Sequence, residues 1–354
     1  MHIIGIVGTA KNTGKTTTLA ALIEEAGRRR RRIGVTGIGY DGEEIDTVTG
    51  LPKPRLMLQP GTIVATSEQC LLTTSADYKV IRKTGAETAL GAVVIVEILQ
   101  PGLMVLAGPN TKRLLRDLIA ELGTMELDAL FVDGSLNRIA AMSVVDTMVF
   151  TTGASRSVEI LFLSEEARAI CGVFDGPTYA SDVSADGIEL QNASGGIVAK
   201  LPLRSLFDVD DARQMLDAVE ASKTPVARIV IPNMVSLPAF EYASQRLRSI
   251  DRGGCTLILA DPTIGLLAGE PIAMFRWMQT SAEIGVSTGY RHAIRVAAMT
   301  VNPFYPLQRD HSFVPAYIDK DGLREAVGDA VEVPVFNIKE SGAPSALFDR
   351  CMEE

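Results

Sequence analysis

The sequence predicts an α/β protein: a doubly wound, mostly parallel sheet, followed by a second α/β domain. Three observations carry this. Short apolar, β-branched runs alternate with longer amphipathic ones along most of the chain. Several short runs end in glycine, aspartate or small residues, as strands do where they enter loops at the carboxyl edge of a parallel sheet. The first of them, His2–Val7, opens onto a glycine-bearing loop, Gly8–Thr17, and then a helical run, Thr18–Ile23.

That opening carries the strongest chemical signal. Strand, loop and helix in this order turn Gly14-Lys15-Thr16 from a common tripeptide into a phosphate site. Consecutive backbone N–H groups in such a loop form an anion-binding nest, and the helix N-terminus adds the positive end of its dipole. The candidate nucleotide-binding residues are Gly8, Thr9, Lys11, Asn12, Thr13, Gly14, Lys15, Thr16 and Thr17. Lys15 is expected at the β and γ phosphates, and the Thr16 hydroxyl on Mg²⁺. The commonest form of the motif needs glycine at position 9, where Thr9 stands; here the glycine is Gly8.

The spacing Gly8-Thr9-x-x-x-x-Gly14-Lys15-Thr16 resembles the loop of dethiobiotin synthetase and its relatives. That P-loop branch also holds the MinD/ParA ATPases and the cobyrinate amidases. MinD carries a further lysine five residues before the Walker lysine. Lys11 lies only four before Lys15, so that role is not carried over. The resemblance implies ATP and Mg²⁺ as ligands, and a homodimer, since proteins of this branch often dimerise.

The composition of the 354 residues narrows the class. Apolar residues make up 47%, enough for a large core, and the length suits two ordinary domains. A net charge of −9 argues against general affinity for nucleic acid. Four scattered cysteines and three histidines assemble no local metal motif and fit a reducing cytoplasm. With a phosphate loop expected from the eighth residue, no signal peptide is expected. The apolar region 86–109 is broken by Glu97, Gln100 and Pro101-Gly102, so it reads as two strands around a turn and not as a membrane span.

After the first helix come five arginines, Arg28–Arg32. They suit a solvated helix C-terminus or a surface for a phosphate-rich or acidic partner. Ile33–Gly39 is the expected second strand, running into Tyr40–Asp46 with four carboxylates in six residues. Asp41 is the candidate there for positioning a nucleophile or completing the metal ligation. Thr62–Thr66 is a short strand, and Ala92–Leu99 with Leu103–Ala107 is an expected hairpin around Pro101-Gly102. Glu97 either faces solvent or points into the site.

Thr111–Leu122 is an expected helix with one apolar stripe. Leu127–Gly134 is an apolar strand ending in Asp133, the Walker B pattern, in which the aspartate orders Mg²⁺ or its waters. A strand-terminal aspartate is also an ordinary helix cap. Arg138 follows in a loop that could present it to a phosphate. Asp146–Ser155 repeats the strand-to-small-residue pattern before a helix over Val158–Ile170.

Three strings, Gly39–Glu44, Val132–Arg138 and Thr152–Ser155, are similar to proteins described as the reactivase subunit of lysine 5,6-aminomutase, an adenosylcobalamin enzyme. This resemblance implies a cobalamin-dependent mutase, or a second reactivase subunit, as partner.

The composition shift at 174–194 puts the expected domain boundary near residue 180, giving a nucleotide-binding domain over 1–180 and a second α/β domain over 181–354. In the latter, helices are expected at Val209–Ala221 (capped by Asp208), Leu237–Ile250, Gly265–Met278 and Asp319–Val327. Strands are expected at Gly196–Pro202, Ala227–Pro232, Cys255–Ala260, Ile294–Val301 and Val331–Phe336. Trp277 lies on a stripe that reads as core. Asn302–Pro306 is a rigid aromatic loop that suits a purine ring, a partner or a packed turn.

Three functions fit these residues. The first is an Mg²⁺-dependent ATPase that regulates or reactivates a partner enzyme, with Lys15 and Asp41 as catalytic groups and Thr16, Asp41 and Asp133 on the metal. The second is a dethiobiotin synthetase-like ligase acting on a small carboxylate. The third is a nucleotide-sensing module with little turnover.

Overall fold

The computed structural model describes residues 1–39, 56–179, 186–250, 254–309 and 312–353. The chain divides into two compact units, Met1–Ala167 with Arg295–Glu354, and Arg168–Ile294. The first part of the chain forms β1 (His2–Gly8), α1 (Lys15–Arg28), β2 (Ile33–Gly37), β3 (Leu56–Leu58), β4 (Ile63–Ser67) and α2 (Glu68–Leu71). Next come β5 (Asp77–Thr88), β6 (Gly91–Gln100), β7 (Gly102–Met104), α3 (Lys112–Leu122), β8 (Ala129–Ser135), β9 (Thr147–Gly153) and α4 (Ile160–Phe174). The second unit carries β10 (Ile188–Gln191), β11 (Ile197–Leu201), α5 (Val209–Ala221), β12 (Arg228–Ile231) and α6 (Leu237–Ile250). It continues with β13 (Cys255–Leu259), α7 (Pro262–Ala268), α8 (Pro271–Glu283) and β14 (Val286–Tyr290). Back in the first unit lie β15 (Arg295–Asn302), β16 (Phe304–Arg309), β17 (Ser312–Tyr317), α9 (Lys320–Ala330), β18 (Val335–Phe336) and α10 (Ala343–Met352).

The first unit is organised by a nine-stranded sheet in the order β18-β15-β9-β1-β8-β2-β4-β6-β5. From β18 to β4 every pairing is parallel, and β6 and β5 close the far edge antiparallel. This is the mixed α/β, mostly parallel sheet that the sequence predicts. Its strands are apolar because both faces are covered: Ile4, Ile6 and Val7 of β1 are wholly buried, as are Val35, Phe131 and Val149. After β1 the chain goes to β2 on one side and returns later to β9 on the other. The order therefore reverses at β1, and ligands in such sheets sit beyond the strands' carboxyl ends at that point.

Three readings of the sequence change here. The expected boundary at residue 180 assigned 181–354 to a second domain. Instead β15 pairs in parallel with β9, Met299 opposite Phe150, and brings everything from Arg295 onward into the first unit. The expected hairpin around Pro101-Gly102 is replaced by one between β5 and β6, while β7 pairs with β3. The expected helix Gly265–Met278 is broken at Gly269–Glu270 into α7 and α8, with prolines opening both; a proline is favoured in the first turn of a helix and disfavoured inside one.

The second unit is a five-stranded sheet in the order β11-β10-β12-β13-β14. Asp208 caps α5 in a reciprocal capping box with Asp211. Trp277 is core: it stacks on Phe240 at 4.6 Å and donates Nε1–H to Ser244 Oγ at 3.3 Å. No disulfide joins the four cysteines, and burial pushes the Cys171, Cys255 and Cys351 thiols up to about 12, which leaves them inert as nucleophiles at neutral pH.

Helix α1 joins the two edges of the sheet. It buries Thr18, Leu19, Leu22, Ile23, Glu25 and Ala26. The buried Glu25 carboxylate accepts hydrogen bonds from Arg28 and Arg29, and Arg29 goes on to Asp349 and Ser345 of α10 while lying over the Phe348 ring at 5.0 Å. Burial alone would raise the Glu25 carboxyl, but the two arginine hydrogen bonds outweigh it and hold it below its ordinary 4.5. A depressed folded-state value means the contribution is complete above about pH 4.5 and is lost as pH falls through the lowered value. Glu25→Gln is expected to destabilise the chain by about 2 kcal/mol at pH 7 and to flatten the acid limb of its stability curve. Equal urea midpoints for both chains at pH 7 would contradict this.

The end of α1 is a Schellman cap. Arg31 N–H donates to Ala26 O at 2.9 Å and Arg30 N–H to Gly27 O at 3.1 Å, with Arg30 at φ 54°. Glycine usually fills this left-handed position because a Cβ costs energy there. Arg30→Gly is therefore expected to stabilise the chain by about 1 kcal/mol, read as a higher urea midpoint; a lower midpoint would show that the Arg30 side chain packs favourably.

Candidate functional site

The loop between β1 and α1 lies at the carboxyl edge of the sheet, at the switch point. Gly14 caps α1 at φ 96°, a left-handed conformation that lets the chain turn from loop into helix. Asn12 is also left-handed, at φ 61°. The first helical bond is Thr18 N–H to Gly14 O at 2.9 Å, so the amides of Lys15, Thr16 and Thr17 lie in the unpaired first turn. Those orphan donors and the helix dipole favour an anion.

The loop and the start of α1 are held from outside by two strands, β9 and β15. Thr9 N–H donates to Thr151 O at 2.9 Å, and Thr9 Oγ1–H to Thr152 Oγ1 at 3.2 Å. Thr13 Oγ1 sits 3.0 Å from both Ala10 O and Thr151 Oγ1. These hydroxyls are turned into the protein, so Thr9 and Thr13 shape the loop through their side chains. From β15, Asn302 Nδ2–H donates to Asn12 O at 2.9 Å and Thr300 Oγ1 meets Thr18 Oγ1 at 3.0 Å. A Cβ on Gly14 would come to 3.3 Å from Asn302 Cβ. Asn302 is a site residue that local sequence reasoning ranked only as part of a loop, and its strand-terminal position was the available signal.

Lys15 and Asp133 come together. Ile6 of β1 lies opposite Asp133 of β8, and Lys15 Nζ is 2.9 Å from Asp133 Oδ1, both side chains about a quarter exposed. Asp133 Oδ1 is buried and makes no hydrogen bond, so its described partner is this ammonium alone. A cation and a carboxylate face each other beside the unpaired amides of the first turn of α1, an arrangement in which the lysine suits an anion's oxygens and the carboxylate a metal or its water. The donor set, one hydroxyl at Thr16 and one carboxylate at Asp133, is hard oxygen, as Mg²⁺ takes beside substrate phosphates. Among the described residues no group of three or more His, Cys, Asp or Glu is placed to hold a metal by itself.

The remaining candidates are placed differently. Asp41 falls in 40–55, outside the described residues. Lys11, Asn12 and Thr17 are exposed on the loop and first turn, and Thr16 is half-buried. Arg138 donates Nη1–H to Ile38 O at 3.1 Å at the end of β2, which fixes it beside the same edge. Glu97 lies opposite Ile63 at the start of β4, and thus at the other edge of the sheet, away from the loop. The expected aromatic loop after Asn302 is the hairpin β16–β17, with Phe304 and Tyr317 edge to face at 5.7 Å.

No protein-family model matches the chain, and no curated protein matches it. Among solved structures, one described as the structure of pNOB8 ParA bound to nonspecific DNA is similar at 10% identity, over 80% of this chain and 98% of that one, with a TM-score of 0.26. A score that low carries no argument, and the fold rests on strand order and pairing. No described helix is long and apolar enough to cross a membrane.

Proposed function

We propose that the chain binds ATP with Mg²⁺ at Gly8–Thr17 and hydrolyses it to regulate or reactivate a partner enzyme. The observation that carries the nucleotide reading is Lys15 Nζ at 2.9 Å from Asp133 Oδ1, beside the unpaired amides of the first turn of α1. Phosphoryl transfer asks a protein chiefly for positioning and charge stabilisation. Lys15 and the amides supply positive charge where it develops on the β–γ bridge and γ oxygens. Thr16 and Asp133 would hold Mg²⁺, which when bound neutralises phosphate charge. Asp41 is proposed as the residue that positions the nucleophile.

The partner reading rests on the resemblance to aminomutase reactivases and on the net charge of −9, which favours a protein partner over nucleic acid. The test is steady-state phosphate release with and without a purified adenosylcobalamin-dependent aminomutase. A slow basal rate raised several-fold by the mutase is expected. A rate unchanged by it would overturn the partner assignment and leave the nucleotide site standing.

A further inference from the structure

The arginine run has a second consequence, at the edge of the sheet opposite the nucleotide loop. Beneath the C-terminus of α1 lies a cavity of about 380 Å³, bounded by Arg30–Ile33 at the entry to β2 and by 59–62 at the entry to β4. We propose that this cavity, lined by Arg30, Arg31, Arg32, Gln59, Thr62 and Glu97, is a second binding site, for a small organic anion carrying two or more carboxylate or phosphate groups and a hydrogen-bond donor.

Four observations support it. First, the volume is that of a metabolite site. Second, the arginines differ in how they are used. Arg28 and Arg29 are occupied by Glu25 and Asp349, and Arg31 meets Asp128 at 3.3 Å with both side chains well exposed. Neither Arg30 nor Arg32 has a described ion pair or side-chain hydrogen bond, so two guanidinium forks remain for a planar or tetrahedral anion. Third, Arg30 holds a left-handed position that glycine fills at lower cost; backbone strain retained under a charged side chain points to a use for that side chain. Fourth, among the described residues Glu97 is the one acidic side chain lining the cavity. It interrupts a strand in which Val93–Val96 and Ile98 are buried, and its carboxylate is an acceptor for a ligand hydroxyl or amine.

This site is independent of the nucleotide assignment, and the test keeps the two apart. Citrate and pyrophosphate are titrated separately by calorimetry into the full chain, without Mg²⁺, at 150 mM NaCl. The wild type, Lys15→Ala, Arg30→Gly and Arg32→Gln chains are compared. At least one probe is expected to bind with a sub-millimolar Kd, unchanged in Lys15→Ala and weakened at least tenfold in Arg30→Gly and in Arg32→Gln. Which probe binds tells carboxylate from phosphate. Because Arg30→Gly is expected to raise stability, weaker binding there cannot be charged to misfolding. The proposal is overturned if neither probe binds at this salt, if Arg30→Gly and Arg32→Gln bind as the wild type does, or if Lys15→Ala alone removes binding. Displacement of the probe by a short DNA duplex at micromolar concentration would overturn it in favour of a nucleic-acid surface.

Discussion

Lys15→Ala is expected to lower ATP turnover by roughly 10²–10³-fold, the size of effect seen when one preorganised electrostatic contact to a reacting group is removed. The reason is positional. Lys15 is the first residue of α1, fixed by the cap at Gly14, and its ammonium is the charged donor the structure sets at the switch point of the sheet. Its cost to folding is expected to be small. The Lys15–Asp133 pair is about a quarter exposed on each side, and pairs of that kind contribute about 1 kcal/mol or less. The melting temperature should thus stay close to that of the wild type while turnover collapses. Turnover within twofold of the wild type would remove Lys15 from the mechanism.

Asp133→Asn should separate the metal from the nucleotide. The amide keeps the size of the side chain but not its charge, so it can neither pair with the Lys15 ammonium as an ion nor hold Mg²⁺ or its water as a carboxylate does. Mg²⁺-dependent turnover is expected to fall by about 10²-fold. Nucleotide binding should change far less, since loop amides and Lys15 remain. Equal activity in the two proteins, measured over a range of Mg²⁺ concentrations, would exclude a metal role for Asp133.

Much of this was legible in the sequence, for reasons that differ by residue. The β1–loop–α1 unit is local: the single stretch His2–Arg28 contains the strand, the turn glycine and the helix, so pattern alone suffices. Asp133 was legible because an apolar strand ending in a carboxylate is itself a short pattern. β5 was missed because it is an exposed edge strand, Asp77–Thr88, with Lys79, Arg82 and Lys83 among its residues, and it lacks the apolar run that marks a buried strand. β14 was passed over, and so was α10, a ten-residue helix whose place depends on Arg29 and on Leu347, Phe348 and Cys351 entering the core of the first unit. The return of β15 to the first sheet, and with it the Asn302 bond to the loop 290 residues earlier, is a long-range pairing that no local period encodes. The arginine run was legible as a feature and illegible as a function, because only the fold shows which guanidinium groups are already engaged.

The central claim is that Gly8–Thr17 is a nucleotide site, and its most direct test is a calorimetric titration of ATP into the wild-type chain with Mg²⁺ and again with the metal chelated. One nucleotide per chain is expected, with a Kd between about 1 μM and 1 mM that weakens when Mg²⁺ is removed. No heat of binding at millimolar ATP, or the same affinity in the Lys15→Ala chain, would contradict it.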